Sequence, residues 1–588
     1  MKMKDLFAFY DGRVNEFESA RKKVAGSKVT IGWLRLLVFL LIPLSGYLLY
    51  PDWKIIVPIV IVLLGVFLWL VSRFTDLSEK HAFYERLVAM NQAEKAALRK
   101  EYTAFDSGSE FSDPGHPYAI DMDLFHKNGL FAFLNRTATR SGKRMLAQYL
   151  LQGSKDRKHV QAVIEDLKHK TDWRQKYLAA SRQEDEEMEE AAERWIQFPV
   201  KKMRVIRILR WVLPVFSLSS LVFWQAGVLS DMQFILSLLI PMFLIGTRLK
   251  ETNKILFTSS KAGEKWKSIL FRLNELEKCE FDSKEMQVFK EKLLQGENSS
   301  REALRRITRL IDLADYRLNM LMGIVLNIFL AWDFWMQTLQ MDWLAKYNSD
   351  FGKWENDLAH LEVWICAANY AHNRQDLTYG RLEGSQIQTE RLGHPLLSPD
   401  ETVYNDFQAS GETAFSIITG PNMAGKSTFL RSVGVNLILA RCGFPVVAEQ
   451  FVMPDLLLYS SMRTTDDLSS SASYFFAELS RLRFIVDAIE RGEKVFIILD
   501  EILKGTNSID KEKGSAAFLN KLNELGAKGI IATHDLSLCR LGDESSAFQN
   551  LYFDSIIEKD ELTFDYKMRA GVCQNMNASF LLKKMGLT

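Results

Sequence analysis

The run Thr419-Gly-Pro-Asn-Met-Ala-Gly-Lys-Ser-Thr428 constrains this chain more than any other stretch. From Gly420 to Ser427 it reads G-x-x-x-x-G-K-S. It follows the apolar run Phe415 to Ile418, which reads as a buried strand. It opens a segment with Phe429, Leu430, Val433, Leu437 and Ile438 at helical spacing. Strand, glycine loop and helix in that order form the setting of a phosphate-binding loop. The glycines let backbone N–H groups turn inward around phosphate oxygens, and the helix N-terminus adds partial positive charge. In such a loop Lys426 reaches the outer phosphates and Ser427 ligates Mg²⁺. The spacing predicts that the chain binds a nucleoside triphosphate through Gly420, Pro421, Asn422, Met423, Ala424, Gly425, Lys426, Ser427 and Thr428.

A second constellation begins about seventy residues later. Val495-Phe-Ile-Ile-Leu499 is continuously apolar, as a central strand of a parallel sheet must be. It ends in Asp500-Glu501. Asp500 is expected to hold Mg²⁺ through its water shell, and Glu501 to orient or deprotonate an attacking water. The next strand, Gly529-Ile-Ile-Ala-Thr533, ends in His534, placed to contact a γ-phosphate. Between the two lies Asp466-Asp-Leu-Ser-Ser-Ser-Ala-Ser-Tyr-Phe-Phe-Ala-Glu-Leu479. This segment has two readings: an anion-facing helix N-terminus, or an ordinary N-cap at Ser473 with Phe475, Phe476 and Leu479 in the core.

The chain of 588 residues is long enough for several domains, and 74 basic against 73 acidic residues leave it near neutral. That balance offers no global signature of nucleic-acid binding. The five cysteines are scattered and make no C-x-x-C pair, so they read as thiols in a reducing compartment. Hydropathy is uneven. Leu36 to Tyr50 and Ile55 to Ser72 are apolar around a short polar break. Trp211 to Leu229 and Met232 to Thr247 repeat the pattern around Ser230-Asp231. Each run is roughly 15–19 residues, near the lower limit for crossing a bilayer. Trp33, Tyr50, Trp53, Trp69 and Trp211 sit near the run ends, and basic residues flank both pairs on the outside. Only Lys54 lies between the arms of the first pair. Aromatic belts and the positive-inside rule then predict two membrane hairpins with both termini and the middle segment in the cytoplasm. A shorter run, Met320 to Trp332, contains Asn327 and reads as a buried helix of a soluble domain.

Together the ordered motifs resemble the MutS family of ABC-type ATPases. Thr419 to Thr428 is similar to that family's TGPNMGGKST, with Ala424 in place of a glycine. Asp466-Asp-Leu468 and Ser473-Tyr-Phe-Phe-Ala-Glu478 resemble DDL and STFxxE, with Tyr474 in place of threonine. Asp500-Glu-Ile-Leu-Lys-Gly-Thr-Asn-Ser508 resembles DEIGRGTS, Ala532-Thr-His534 matches ATH, and Gly393-His-Pro395 resembles RHP. The likeness covers roughly residues 380–588. More weakly, Leu130 to Leu146 resembles the start of the family's core and lever helices, and Asp282 to Gln375 the returning lever.

The resemblance implies an ATPase that uses ATP and Mg²⁺. His394 and Pro395 would help hold the base. Two ATPase domains would pair as a homodimer, with Ser473 reaching the partner's nucleotide and Asn507 along the interface. Binding and hydrolysis, with Glu501 and His534 as catalytic groups, would drive the helical levers. The expected architecture is multidomain: an N-terminal cytoplasmic helix (1–30), a membrane hairpin (31–75), a first helical core/lever part (76–200), a second membrane hairpin (201–250), a second core/lever part (251–380), and a C-terminal α/β P-loop ABC-type ATPase domain (381–588). The location implied is the cell (inner) membrane, multi-pass, with the ATPase domain in the cytoplasm.

Several parts depart from the family. No mismatch-reading domain surrounds Phe83-Tyr-Glu85, which fits the family's Phe-x-Glu tripeptide. The second apolar pair occupies the place of the DNA clamp. Arg301, Arg305, Arg306 and Arg309 share a helix face, as solvated lever charges also would. Two functions therefore stand side by side. One is a membrane-anchored, mismatch-repair-related ATP switch with DNA as a partner. The other is a membrane ATPase, acting on a protein partner or as a transporter-like machine, without DNA.

Overall fold

The computed structural model describes residues 3–181, 186–198, 203–296, 299–463, 474–503, 507–558 and 561–574. Two long helices, Met3–Leu48 and Trp53–Ala97, form an N-terminal hairpin. Its two halves bury differently because their sequences differ. In the polar half, Tyr10, Phe17, Leu87 and Val88 are buried. There Tyr10 donates its hydroxyl to Asn373 Oδ1 at 2.6 Å, and Arg13 Nε donates to Gln175 Oε1 at 2.9 Å. In the apolar half, Leu37, Phe39, Leu40, Ile61, Val62 and Leu68 are exposed. Helix Met3–Leu48 crosses residue 30 without a break.

The second apolar pair is Arg204–Gln225 and Asp231–Gly246, the latter opened by a capping box between Ser230 and Gln233. Helix Met320–Leu330 packs beside this pair, and Ser217 donates its hydroxyl to the Ile328 carbonyl at 2.7 Å. The expectation of a buried helix here is not met. Met322, Ile324, Val325 and Leu330 are each at least 40% exposed, because the apolar pair covers only one side of so short a helix. Among the described residues three helices are long and apolar enough to cross a membrane: Lys4–Leu48, Pro58–Ala97 and Arg204–Gln225. The number is up to five if two sharply bent helix pairs each count as one span.

Two further long helices are Leu249–Lys278 and the 42-residue Trp332–Asn373, in the segments expected to form levers. They are joined by buried tryptophans, with Trp266 edge-on to Trp195 at 4.7 Å and Trp343 within 6.0 Å of Trp266. Their ionic centre is Glu362, fully buried. It accepts from Arg272 Nη1 at 2.7 Å, from the Thr139 hydroxyl at 2.8 Å, and from the Ala138 and Thr139 amides at 2.8 and 3.1 Å. Thr139 also caps helix Arg140–Gln152, so one carboxylate ties that helix start to both long helices. Phe83-Tyr-Glu85 lies on helix Trp53–Ala97, with Phe83 against Phe271 and Tyr84 near Phe17. Arg301 pairs with Glu277, and Arg305 and Arg306 both pair with Glu302.

The C-terminal region is built on a six-stranded sheet. Its strands are β1 (Phe415–Thr419), β2 (Leu457–Ser461), β3 (Val495–Asp500), β4 (Lys528–Ala532), β5 (Phe548–Phe553) and β6 (Met568–Ala570). The order is β6-β5-β1-β4-β3-β2, parallel throughout except for β6, which runs antiparallel to β5. β1 is buried at every residue and β3 at all but Asp500, as continuous apolar runs in a parallel sheet require. A smaller, mostly antiparallel four-stranded sheet built from residues 381–453 lies ahead of and beside it. Asp121 fastens the helical part to the edge of the large sheet, accepting from the Ser460 hydroxyl at 2.7 Å and the Arg463 amide at 2.9 Å.

Candidate functional site

The parallel strands end on one side of the sheet, where open α/β sheets place their ligands. The order β1-β4-β3 decides what meets there. β1 delivers the glycine loop, β3 delivers Asp500-Glu501, and β4, lying between them, delivers His534.

The loop needs its glycines. Gly420 has φ +144°, and a Cβ on it would stand 2.5 Å from the Phe553 carbonyl oxygen. Gly425 has φ +103° and caps helix Lys426–Cys442 at its N-terminus. Lys426 is buried, and its ammonium donates to the carbonyls of Gly420 at 2.7 Å and Pro421 at 3.0 Å. Burial lowers its pKa below the ordinary lysine value, against the opposing pull of Asp500 and Glu501. Ser427 donates its hydroxyl to Asp500 Oδ2 at 2.7 Å. His534 Nε2 lies 3.3 Å from Lys426 Nζ, 2.7 Å from Asn422 Oδ1 and 3.0 Å from Glu501 Oε1. Glu501 itself sits at φ +50°, a strained backbone for a non-glycine residue, and its amide donates to the Ala532 carbonyl at 2.9 Å. These groups line a cavity of about 570 Å³. The pairing of a hydroxyl with a carboxylate supplies hard oxygen donors, which suit Mg²⁺.

The far wall of the cavity is apolar and aromatic: Leu392, Leu397, Val403, Phe553 and Tyr566, with His394 among them. Burial pushes the His394 pKa down to about 4, so the ring is neutral at pH 7. Its Nδ1 accepts from the Leu396 amide at 3.2 Å, and Pro395 gives its carbonyl to Arg374 at 2.7 Å. Tyr566 escaped sequence reasoning. It belongs to no motif and reaches the cavity through the turn before β6, held by Asn405, whose amide donates to the Tyr566 carbonyl at 3.0 Å. Glu401, also on the rim, pairs with Lys100 just beyond helix Trp53–Ala97.

One residue expected along the domain interface lies away from this cavity. Asn507 is exposed at the N-cap of helix Ser508–Glu524, accepting from the Asp510 amide at 2.8 Å, and does not line the cavity. Ser473, with Asp466 to Leu468, falls outside the described residues. Of the three side chains expected in the core behind Ser473, Phe475 packs partly against it. Phe476 and Leu479 are exposed instead, since they stand on the outer face of helix Tyr474–Glu490. Glu478 on the same helix is buried and accepts from the Leu503 amide at 2.6 Å, bracing the turn after Glu501.

Fold and site thus define a parallel α/β domain with a glycine loop opening onto an acidic strand end. Residues 416–583 match the family model for MutS domain V. Over this C-terminal region the chain is similar to proteins of the MutS family. It is 31% identical over 237 residues to the DNA mismatch repair protein MutS of Fervidobacterium nodosum, covering 39% of this chain and 28% of that one. It is 31% identical over 254 residues to the protein of the same name from Thermotoga petrophila, covering 42% and 31%. Against that from Thermus aquaticus it is 32% identical over 219 residues, covering 36% and 26%. The chain thus spans less than a third of the length of these relatives.

Proposed function

We propose that this protein is a membrane-anchored, MutS-like ATPase in which the state of a bound nucleotide sets the position of the helical levers. The observation that carries the reading is the meeting of Lys426, Ser427, Asp500, Glu501 and His534 around one cavity. Lys426 would leave the Gly420 and Pro421 carbonyls for the outer phosphates. Gly420 to Thr428 would cradle the phosphate chain with backbone amides. Ser427 and Asp500 would hold Mg²⁺, which supplies charge neutralisation of the phosphate oxygens. Glu501 would orient the attacking water, and His534, already between Lys426 and Glu501, would face the γ-phosphate. Neutral His394 and Tyr566 would flank the base.

Pairing of two such domains is supported by exposed Phe476 and Leu479 on the helix that follows Ser473. Anchoring in the cell (inner) membrane, with the ATPase domain in the cytoplasm, is supported by the exposed apolar faces of the candidate spans. The matched relatives are named as DNA mismatch repair proteins, and DNA is the first partner to test. The second reading is an ATPase acting on a protein partner. It is favoured by the lever arginines, three of which are paired with glutamates rather than gathered in a free basic stripe.

The deciding experiment is phosphate release from ATP by the full chain in lipid nanodiscs. Turnover by wild type and its loss in Lys426→Ala is the expected result; equal turnover in both sinks the assignment. A mismatched duplex added to the same preparation then separates the two readings. A salt-sensitive complex supports DNA as a partner, and none at low salt supports the protein partner.

A further inference from the structure

A second cavity, of about 380 Å³, lies where helix Trp53–Ala97 meets helices Thr171–Ala180 and Trp332–Asn373. It shares no lining residue with the nucleotide cavity. Its polar side holds Arg174, which is only 2% exposed. Arg174 Nη2 donates to the Thr171 hydroxyl at 2.8 Å and to the Lys168 carbonyl at 3.4 Å. Nη1 donates to Asn369 Oδ1 at 3.4 Å. It makes no ion pair among the described residues, and its Nε has no hydrogen-bond partner. Among the described residues the Ser181 hydroxyl, on the same lining and also buried, has none either.

The nearby carboxylate does not answer Arg174. Glu94 accepts from Arg136 Nε at 2.6 Å and from Asn369 at 2.9 Å, and so is already neutralised. A buried guanidinium without a counter-charge is an unusual expense for a fold, and buried charges are ordinarily paired. Burial draws its pKa down to about 10, which still leaves it protonated at pH 7. The opposite wall is apolar, with Ala89, Met90, Ala93, Phe105 and Ile365. The alanines leave room where larger side chains would close the space.

We propose that this cavity binds a small soluble organic anion, its carboxylate against Arg174 and Ser181 and its apolar body against Ala93 and Met90. A guanidinium favours a planar carboxylate because its N–H groups match the two oxygens. A cation is disfavoured, since Arg86, Arg136 and Arg174 all line the space, with Glu94 as the one acid among the described lining residues. A lipid still in a bilayer is out of reach. Ala89 to Ala93 lie roughly 25–30 Å along the helix beyond Arg73, at 1.5 Å per residue.

The test uses the full chain in lipid nanodiscs, titrated calorimetrically with 4-phenylbutyrate and with its neutral amide, against empty nanodiscs. The carboxylate is expected to bind saturably and about ten-fold or more tighter than the amide, as a charge-assisted contact provides. Arg174→Gln should abolish that preference. Ala93→Leu, which keeps every charge but fills the cavity, should abolish binding of both. No saturable carboxylate heat, equal affinity for acid and amide, or an undiminished preference in Arg174→Gln overturns the proposal. If Arg174→Gln does not unfold cooperatively, Ala93→Leu decides, and unchanged binding in it overturns the site. ATP turnover plays no part in the readout, so failure here leaves the nucleotide reading untouched.

Discussion

Ser427 and Asp500 stand 73 residues apart in sequence, yet the hydroxyl of one donates to the carboxylate of the other across 2.7 Å. Their contact joins the first turn of the loop helix to the tip of β3. It crosses above β4, the strand between them.

That contact yields the first prediction. Ser427→Ala and Asp500→Asn should each lower Mg²⁺-dependent ATP turnover by about 10²–10³-fold, the scale of losing one preorganised electrostatic contact. Phosphate release at saturating ATP, across a magnesium titration, is the measurement. Turnover within about two-fold of wild type would contradict the role.

Glu501→Gln separates binding from cleavage. It should retain ATP affinity, lose hydrolysis and accumulate as a dimer with ATP and Mg²⁺. Mass photometry in nanodiscs or detergent reports the state directly. A variant that stays single under conditions where wild type pairs would count against the paired-domain reading.

Breaking the buried ionic centre at Glu362 should be costly. Glu362→Ala takes away the carboxylate that buried Arg272 pairs with and removes the acceptor of the Ala138 and Thr139 amides. A loss of about 3–5 kcal/mol is expected for uncovering one member of a buried pair. Thermal unfolding followed by tryptophan fluorescence should show it, because Trp195, Trp266 and Trp343 report on the same core.

Acid should weaken the fold through two histidines. Burial depresses the pKa of both His394 and His372 to about 4, against an unfolded value near 6.5. Between those values the unfolded chain takes up protons that the folded chain refuses, so stability rises with pH from about 4 to 6.5 and is flat above. The thermal midpoint should be lower at pH 5 than at pH 7. His394→Gln combined with His372→Gln should reduce that difference; an unchanged slope would remove these two rings as its source.

The membrane reading has its own test. Alkaline carbonate should leave the chain in the membrane pellet. Asp52→Cys should react with an impermeant maleimide from outside intact cells. Labelling only after lysis would reverse the proposed topology. The natural cysteines give little background, since Cys366, Cys442, Cys539 and Cys573 are buried.

Much of the candidate site's geometry was legible because its residues are consecutive. Gly420 to Thr428, Asp500-Glu501 and His534 each sit at a strand end whose apolar run announces it. What the sequence withheld depends on contacts between distant segments. Tyr566 enters the cavity only because β6 folds back on β5. Lys100 meets Glu401 across 301 residues, and no periodicity records it. The placement of His534 between Lys426 and Glu501 follows from strand order, which local pattern does not encode. Helix Met320–Leu330 misled for a related reason. Apolar composition gives no sign of whether its neighbours surround it or cover one side.

Helix Trp53–Ala97 passes unbroken from its apolar stretch to the residues just short of Lys100, whose ammonium meets Glu401 at the nucleotide cavity. A stiff rod of that kind, about 68 Å long at 1.5 Å per residue, magnifies angle into distance. With one end seated in lipid, each 5° of tilt would carry the other end about 6 Å sideways. On the proposed membrane-anchored reading, thickness or tension of the surrounding bilayer would thereby be felt as strain at the mouth of the proposed ATP pocket.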